Sequence, residues 1–265
     1  QKQNGGSQAW RPRLKFSWPH LAFLAVAVLV ILTRLWPVRG LEVPMLGDSY
    51  QHSMITQLLL DNGGLFDSWQ PYAELSTFTY HFGFHAAAAA FAWISRLPAP
   101  QAVLWTGQIL NILAVLSLYP LAAKVGRNPW AGVAAVLLAG LLVPMPMAYV
   151  NWGRYTQLAG QAALPAAVYL LWEVLENKAG GRAGYLLTWL VLAGMALLHY
   201  RVLIFALIFL PAWLVLSARE TGLVAFARKV IIVGTGSLIL FLPWLVHVYG
   251  GAILGMFTTN LGTPA

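Results

Sequence analysis

The stretch WPHLAFLAVAVLVILTRLWP, residues 18–37, is an almost unbroken apolar run with Arg34 near its end. A helix that spans a bilayer needs about 20 mostly apolar residues, so this stretch predicts a transmembrane helix. Six further runs of similar character follow it in the chain, at 102–123, 129–149, 161–176, 184–199, 202–217 and 229–249. The sequence therefore predicts an all-α polytopic membrane protein with seven transmembrane helices.

The composition agrees with a membrane protein, because 59% of the 265 residues are hydrophobic and only 9% are charged. Soluble domains carry roughly 25% charged residues. The chain has no cysteine, which excludes disulfides and thiolate metal sites. Its 16 Lys and Arg residues against 8 Asp and Glu residues are typical of basic cytoplasmic loops in a membrane chain. We therefore expect no nucleic-acid partner.

The segment YHFGFHAAAAAFAWIS, residues 80–95, decides the predicted topology because it is apolar but short. If it does not span and the N-terminus is cytoplasmic, 11 of the 16 basic residues lie inside and 5 lie outside. If it spans, the short basic loops move outside and reverse the usual positive-inside bias. We therefore expect this segment to lie in the outer leaflet, with the N-terminus inside and the C-terminus outside.

This topology divides the chain into three parts. Residues 1–17 form a basic cytoplasmic tail, and 18–249 form the transmembrane module. A large external loop at about 38–101 holds five of the eight carboxylates and carries amphipathic helices beside the membrane. Residues 250–265 begin an external segment, and an open alternative is that more external chain follows it.

The external loop opens with DSYQHSMITQLLLDNGG, residues 48–64. Apolar residues at helical spacing after Asp48, and the Gly63-Gly64 pair at the end, predict an amphipathic helix at the membrane surface. Asp48 then has two readings, a plain helix cap or a catalytic carboxylate. His52, one turn later, is either an interfacial imidazole or a ligand.

Histidines suggest a metal site in the same loop. His81 and His85 are four residues apart, a spacing that lets one helix face offer two imidazoles to a metal ion. Together with Asp48 and His52 they form a candidate oxygen and nitrogen site. The cofactor expected there is a divalent ion, Mg²⁺ or Mn²⁺.

Two external arginines interrupt apolar sequence, Arg154 in MAYVNWGRYTQLAGQ (147–161) and Arg201 in LLHYRVLIF (197–205). Each could simply extend its long side chain to the interface. Each could also bind a lipid phosphate through paired N–H donors. We group with them four neighbouring candidates for substrate binding, namely Trp152, Tyr155, His199 and Tyr80.

In the order of these features the sequence resembles the GT-C superfamily of polytopic membrane glycosyltransferases. The resembling features are an early acid in "GDSYQH", the segment "WQPY" at 69–72, the hairpin "AAKVGRNPWAGVAAVLLAG" and the stretch "NWGRYTQLAGQAALP", which is similar to one in uncharacterised bacterial members. The resemblance covers nearly the whole chain and corresponds to the seven-span module of that superfamily.

The resemblance implies transfer of a sugar from a polyprenyl-phosphate carrier to a glycan, lipid or protein acceptor at the external face of a bacterial plasma membrane. By this likeness Asp48 would be the general base or a metal ligand. The sequence departs from the family in two ways. Ser-Tyr-Gln-His follows the acid where many relatives have a second acid, and the later spans and soluble C-terminal domain of many relatives are not in this sequence.

Two other functions compete with the transferase. The chain could be a non-catalytic subunit or scaffold, an inactive or split relative that works with other membrane subunits. It could also be a transporter or flippase, but such proteins gather ionisable residues at the bilayer midplane, whereas here they gather at one face.

Overall fold

A computed structural model describes residues 17–176 and 181–261, with side chains in all of these except 216–221 and 251–261. The predicted cytoplasmic tail, apart from its last residue, and the end of the predicted external segment fall outside the described residues. The described residues form helices and no strand. The helices are α1 (Trp18–Leu35), α2 (Ser49–Asn62), α3 (Gly83–Ser95), α4 (Ala99–Leu116), α5 (Leu118–Val125), α6 (Pro129–Leu137), a π-helical turn (Leu138–Leu142), α7 (Ala148–Asn151), α8 (Tyr155–Leu175), α9 (Gly181–Thr221) and α10 (Leu223–Leu261).

Five helical segments are long and apolar enough to cross a membrane. They are Trp18–Leu35, Ala99–Val125, Tyr155–Leu175, Gly181–Val215 and Leu223–Gly250. The structure thus confirms the predicted all-α fold, and five candidate spans agree with a membrane protein.

Helix α9 consists of two helical stretches joined at His199, whose backbone is extended with φ −170° and ψ 103°. His199 packs near Gly160 at the beginning of α8. Further along α9, the ring of Trp213 lies 6.5 Å from that of Trp172 near the end of α8. The chain after His199 therefore runs in the same direction as α8, and the chain before it runs the opposite way. The reversal lies where the sequence predicts a turn between two spans.

The largest hydrophobic core joins α8 to both stretches of α9 and to α10. Its fully buried members include Leu171, Leu175, Met195 and Val202. A second core joins α3, α4 and α8 around Phe84. The two cores share α8, so this helix is the element that links the two ends of the bundle.

Helix α2 has the predicted bounds. Asp48 occupies its N-cap position, and Gly63 ends it in the left-handed conformation at φ 65°, which glycine adopts without steric cost. The apolar side of α2 packs inside the protein instead of facing lipid. Ile55 and Leu58 are buried in a cluster with Phe78 and with Trp244 of α10.

The predicted span at 129–149 is shorter in the structure than in the sequence interpretation. Helix α6 and the π-helical turn end at Leu142, and α7 is a separate turn of four residues. Pro144 and Pro146 follow Leu142. Val143 is extended at φ −99° and ψ 134°, a conformation that a following proline favours, and two prolines so close together remove two of the N–H donors that would continue the helix.

Candidate functional site

Two stretches that the sequence analysis singled out meet at the start of α2. The Asp48 amide N–H donates to the carbonyl oxygen of Trp152 at 3.3 Å. Gly47 and Gly153 both have positive φ, at 74° and 66°. A Cβ at Gly47 would lie 2.1 Å from the Trp152 carbonyl oxygen, and one at Gly153 would lie 2.4 Å from the Ser49 nitrogen. The two backbones therefore pack directly against each other.

The carboxylate of Asp48 is exposed at this junction. Asp48 occupies the N-cap position, but its side chain makes no capping hydrogen bond to α2. Asp48 therefore has the position of a helix cap, but its carboxylate does not bind the helix N–H groups as a plain cap would. This leaves the side chain open to a substrate.

His52 and His85 form a buried pair one turn further into the protein. His52 Nδ1 and His85 Nε2 lie 2.8 Å apart, so one ring donates a hydrogen bond to the other. Burial lowers the pKa of His52 to about 4, although the charge of Asp48 and a hydrogen bond with the Gly153 backbone raise it. Burial also lowers the pKa of His85 well below its ordinary value. Both imidazoles are therefore neutral at pH 7.

His81 continues the cluster toward α9. Its ring lies 4.9 Å from that of His199 and 3.9 Å from that of Tyr80. Burial, together with His199, His52 and Arg201, lowers the pKa of His81 to about 3. His81 is only 6% exposed, and neither of its ring nitrogens has a hydrogen-bond partner among the residues that the structure describes. A buried polar group without a partner is costly, so these nitrogens favour a polar group of a bound molecule.

Tyr80 and Tyr155 complete the aromatic wall of the site. The Tyr80 hydroxyl lies 3.2 Å from Thr156 Oγ1 at the start of α8, and burial raises its pKa. Tyr155 is fully buried, stacked on Phe84 with ring centroids 5.4 Å apart and edge-on to His52 at 5.9 Å. Tyr155 therefore supports the position of His52 from inside the protein.

The predicted phosphate-binding arginines lie on two sides of the cluster. The Arg154 guanidinium lies 5.3 Å from the centre of the exposed Trp152 ring, in the loop that packs on Asp48. Arg201 is exposed, and its charge acts on His81 and His199. The structure therefore brings the two positive charges to the end of the bundle that holds Asp48.

The predicted pair of histidines on one helix face is wrong. His81 precedes α3, which begins at Gly83, and only His85 belongs to the helix. His81 packs against His199 while His85 packs against His52. Among residues 17–176 and 181–261, wherever side chains are described, no three His, Asp or Glu side chains form a group that could hold a metal ion.

An apolar cavity of about 300 Å³ opens among α8, α9 and α10 beside this cluster. Its walls include Leu171, Leu192, Leu207 and Phe241, and Tyr200 lines it as well. The Tyr200 ring lies 5.7 Å from that of His81. Tyr200 therefore lies both in the cavity wall and beside the imidazole cluster.

Sequence reasoning missed a set of buried polar residues below the cluster. Arg34, only 4% exposed, donates from Nη2 to the Gly140 carbonyl oxygen at 2.7 Å and from Nε to Asn111 Oδ1 at 3.3 Å. Gln108 is also buried on α4. The sequence did contain a signal for them, because "WTGQILN" places three polar residues within an apolar run. Polar residues in a membrane span usually face the protein interior.

The comparison with protein families gives one match. Residues 1–260 match the family described as a "Family of unknown function (DUF6541)", and the chain belongs to that family. A search of curated proteins finds no match to this chain.

Proposed function

We propose that this protein is a membrane glycosyltransferase that moves a sugar from a polyprenyl-phosphate-linked donor to an acceptor hydroxyl. The observation that carries the proposal is the exposed carboxylate of Asp48, which makes no capping bond to α2 and stands on a backbone that packs against the loop of Trp152 and Arg154. An acid, two exposed cations and aromatic faces at one end of an apolar bundle suit a substrate that is part lipid, part phosphate and part sugar.

In the proposed reaction the acceptor hydroxyl attacks the anomeric carbon of the donor sugar. The bond from that carbon to the phosphate oxygen breaks, and polyprenyl phosphate leaves with the bonding electron pair. Asp48 accepts the proton of the attacking hydroxyl as a general base. Arg154 and Arg201 stabilise the negative charge that grows on the leaving phosphate, because guanidinium groups bind phosphate through paired donors.

The neutral imidazoles have a binding role in this proposal. A neutral imidazole offers one donor and one acceptor nitrogen, which suits sugar hydroxyl groups. Both nitrogens of His81 lack a partner within the described part of the chain and are the first candidates for that contact. The apolar cavity beside Tyr200 suits the first isoprenoid units of the carrier, since its walls are almost wholly apolar.

In a second form of the proposal Asp48 instead holds a divalent Mg²⁺ or Mn²⁺ ion. These ions prefer several oxygen ligands. The described part of the cluster offers one carboxylate and several imidazoles, so the donor set fits them poorly. The base role of Asp48 is therefore the form that we adopt.

The same proposal includes the topology. The segment Gly181–Val215 is divided at His199 and so supplies two crossings. The other four long segments and the short apolar segment Pro129–Leu142 supply five more, which supports seven crossings. An odd number of crossings with a cytoplasmic N-terminus gives an external C-terminus. We propose a plasma-membrane location with the Asp48 cluster at the external face, because the basic loops then lie inside.

The test of this function is donor turnover by the purified chain in proteoliposomes. Undecaprenyl-phosphate-linked hexoses and pentoses are supplied with a membrane extract as the source of acceptor, and released undecaprenyl phosphate is measured by mass spectrometry. We expect release that depends on protein and acceptor extract. Flux of the intact donor across the bilayer without any release would contradict the proposal and favour a flippase.

A further inference from the structure

A second cavity lies at the other end of the bundle from the imidazole cluster. It has a volume of about 1400 Å³ between the first turns of α9 and of α10. Lys229, in its wall, donates to the carbonyl oxygen of Leu175, the last residue of α8, whereas Tyr155, the first residue of α8, packs on His52. The 21 residues of α8 separate these ends by about 30 Å. The cavity is therefore independent of the proposed transferase site.

The cavity is basic. Arg182, Arg228 and Lys229 line it, and in the part of the chain whose side chains are described no carboxylate forms an ion pair with any of them. The nearby carboxylate of Glu173 is instead bound to Lys124. Lys229 is buried and already donates to a carbonyl, so it supplies charge, while Arg182 and Arg228 are exposed and donate to no other described residue.

Helices both begin and end beside this cavity. The helical stretch that begins at Gly181 and helix α10, which begins at Leu223, both start at this end of the bundle. The free N–H groups at a helix start carry a partial positive charge and favour anions. Helix α8 and the second stretch of α9 end at the same place, and their carbonyl groups offset this charge, so the positive potential of the cavity comes from two arginines and one lysine.

The rest of the cavity wall is apolar and faces outward along the bundle. Leu186 and Val224 are about half exposed or more, and Ile232 lies further along α10. The indole Nε1–H of Trp189 is buried and has no acceptor among the side chains and backbone that are described. A ligand that satisfies this wall needs hydrocarbon along the helices and an acceptor oxygen near the arginines.

We propose that this cavity binds the headgroup phosphate of an anionic phospholipid, with the acyl chains lying on the apolar wall of α9 and α10. The phosphate oxygens accept hydrogen bonds from Arg182 and Arg228, and Lys229 neutralises the remaining charge. Basic pockets between transmembrane helices select lipids with net negative charge in this way. Neutral phospholipids carry the same phosphate but also a cationic group, which the three basic residues repel.

Native mass spectrometry of the purified full chain in detergent tests the proposal. Dioleoyl phosphatidylglycerol and dioleoyl phosphatidylcholine are titrated in parallel, so only the headgroup differs. We expect preferential binding of phosphatidylglycerol, and we expect Arg182→Gln with Arg228→Gln to weaken it about 30-fold, as two lost phosphate contacts predict. The matched control is Arg127→Gln, an exposed arginine at a neighbouring loop that does not line the cavity.

Three results would overturn the proposal. Equal affinity for the two lipids would remove the charge selection, and an equal loss in Arg127→Gln would remove the site. Displacement of the lipid by inorganic phosphate at the same concentration would assign the cavity to a free phosphate ion instead of a lipid. Each variant is first checked for the wild-type elution profile and helical circular dichroism, so that a folding defect is not read as lost binding.

Discussion

At His52 two electrostatic effects oppose each other. Burial removes the imidazole from water and disfavours its charged form, while the nearby carboxylate of Asp48 favours that form. Burial is the larger effect, and the pKa of His52 falls to about 4. The hydrogen bond to His85 then joins two neutral rings. The consequence is a site whose polar groups bind by hydrogen bonding at neutral pH, with the positive charge left to the arginines.

This lowered pKa predicts acid sensitivity. Between pH 6.5 and about pH 4 the unfolded chain binds a proton at His52 that the folded chain does not, so stability is full above pH 6.5 and falls as the pH drops toward 4. The loss from His52 alone reaches about 3 kcal/mol. Thermal unfolding in detergent across this range measures it, and His52→Gln should flatten the dependence without abolishing it, because His81 and His85 are buried as well.

The control for the acid prediction is His20→Gln, a change at an exposed histidine at the start of α1. This variant should keep the wild-type pH dependence. A His52→Gln variant that loses stability as steeply as wild type on acidification would show that His52 is not the buried neutral group described above.

At the scale of elements, the site depends on the contact between the start of α2 and the loop before α8. Gly47 and Gly153 allow the two backbones to approach, since each has positive φ and each would collide with the opposite chain if it carried a Cβ. The contact holds Asp48 beside the Trp152 loop. This contact therefore joins the predicted external loop, residues 38–101, to the helix bundle.

We expect Gly153→Ala to open this contact. Its Cβ would lie 2.4 Å from the Ser49 nitrogen and its φ is unfavourable for alanine, so the variant should lose about 2 kcal/mol or more of stability. Thermal unfolding in detergent measures the loss. The matched control is Gly64→Ala, where nothing lies within 4 Å of the new Cβ and φ is not positive. Equal effects of the two substitutions would mean that the close approach at Gly153 does not stabilise the fold.

Local elements were predictable to the extent that local chemistry determines them. Helix α2 ends where it was predicted to end because Gly63 adopts the left-handed conformation there, and it starts at the predicted position although the Asp48 side chain makes no capping bond. Pairings between distant parts of the chain were not predictable, because spacing says nothing about partners. His85 bonds to His52, 33 residues away, while His81 turns to His199. The early end of α6 was also not predicted, because the apolar run at 129–149 is continuous and only Pro144 and Pro146 indicate a break in the helix.

At the scale of the whole molecule, the reversal at His199 determines which residues share an end of the bundle. Because the chain turns there, His199, Tyr200 and Arg201 lie beside the Asp48 cluster, and Trp213 returns to the far end of α8. A straight α9 of 41 residues would measure about 60 Å, twice the thickness of a bilayer core. The fold thus concentrates ionisable and aromatic side chains at one end and a basic cavity at the other.

The proposed orientation predicts the accessibility of single cysteines, and the chain has no native cysteine to interfere. Ser68→Cys, in the proposed external loop, should react with a membrane-impermeant maleimide on intact cells. Arg127→Cys, between α5 and α6, should react only after permeabilisation. Both positions are exposed. Labelling of Arg127→Cys on intact cells, with Ser68→Cys protected, would invert the topology.

Donor turnover by Asp48→Asn measures whether Asp48 accepts the proton of the acceptor hydroxyl. A general base contributes at least about 100-fold to a rate, so the release of undecaprenyl phosphate should fall by that factor or more in a folded, membrane-inserted variant. Asp67→Asn, another exposed acid of the same loop, should retain wild-type turnover. Turnover by Asp48→Asn within a few-fold of wild type would contradict the account.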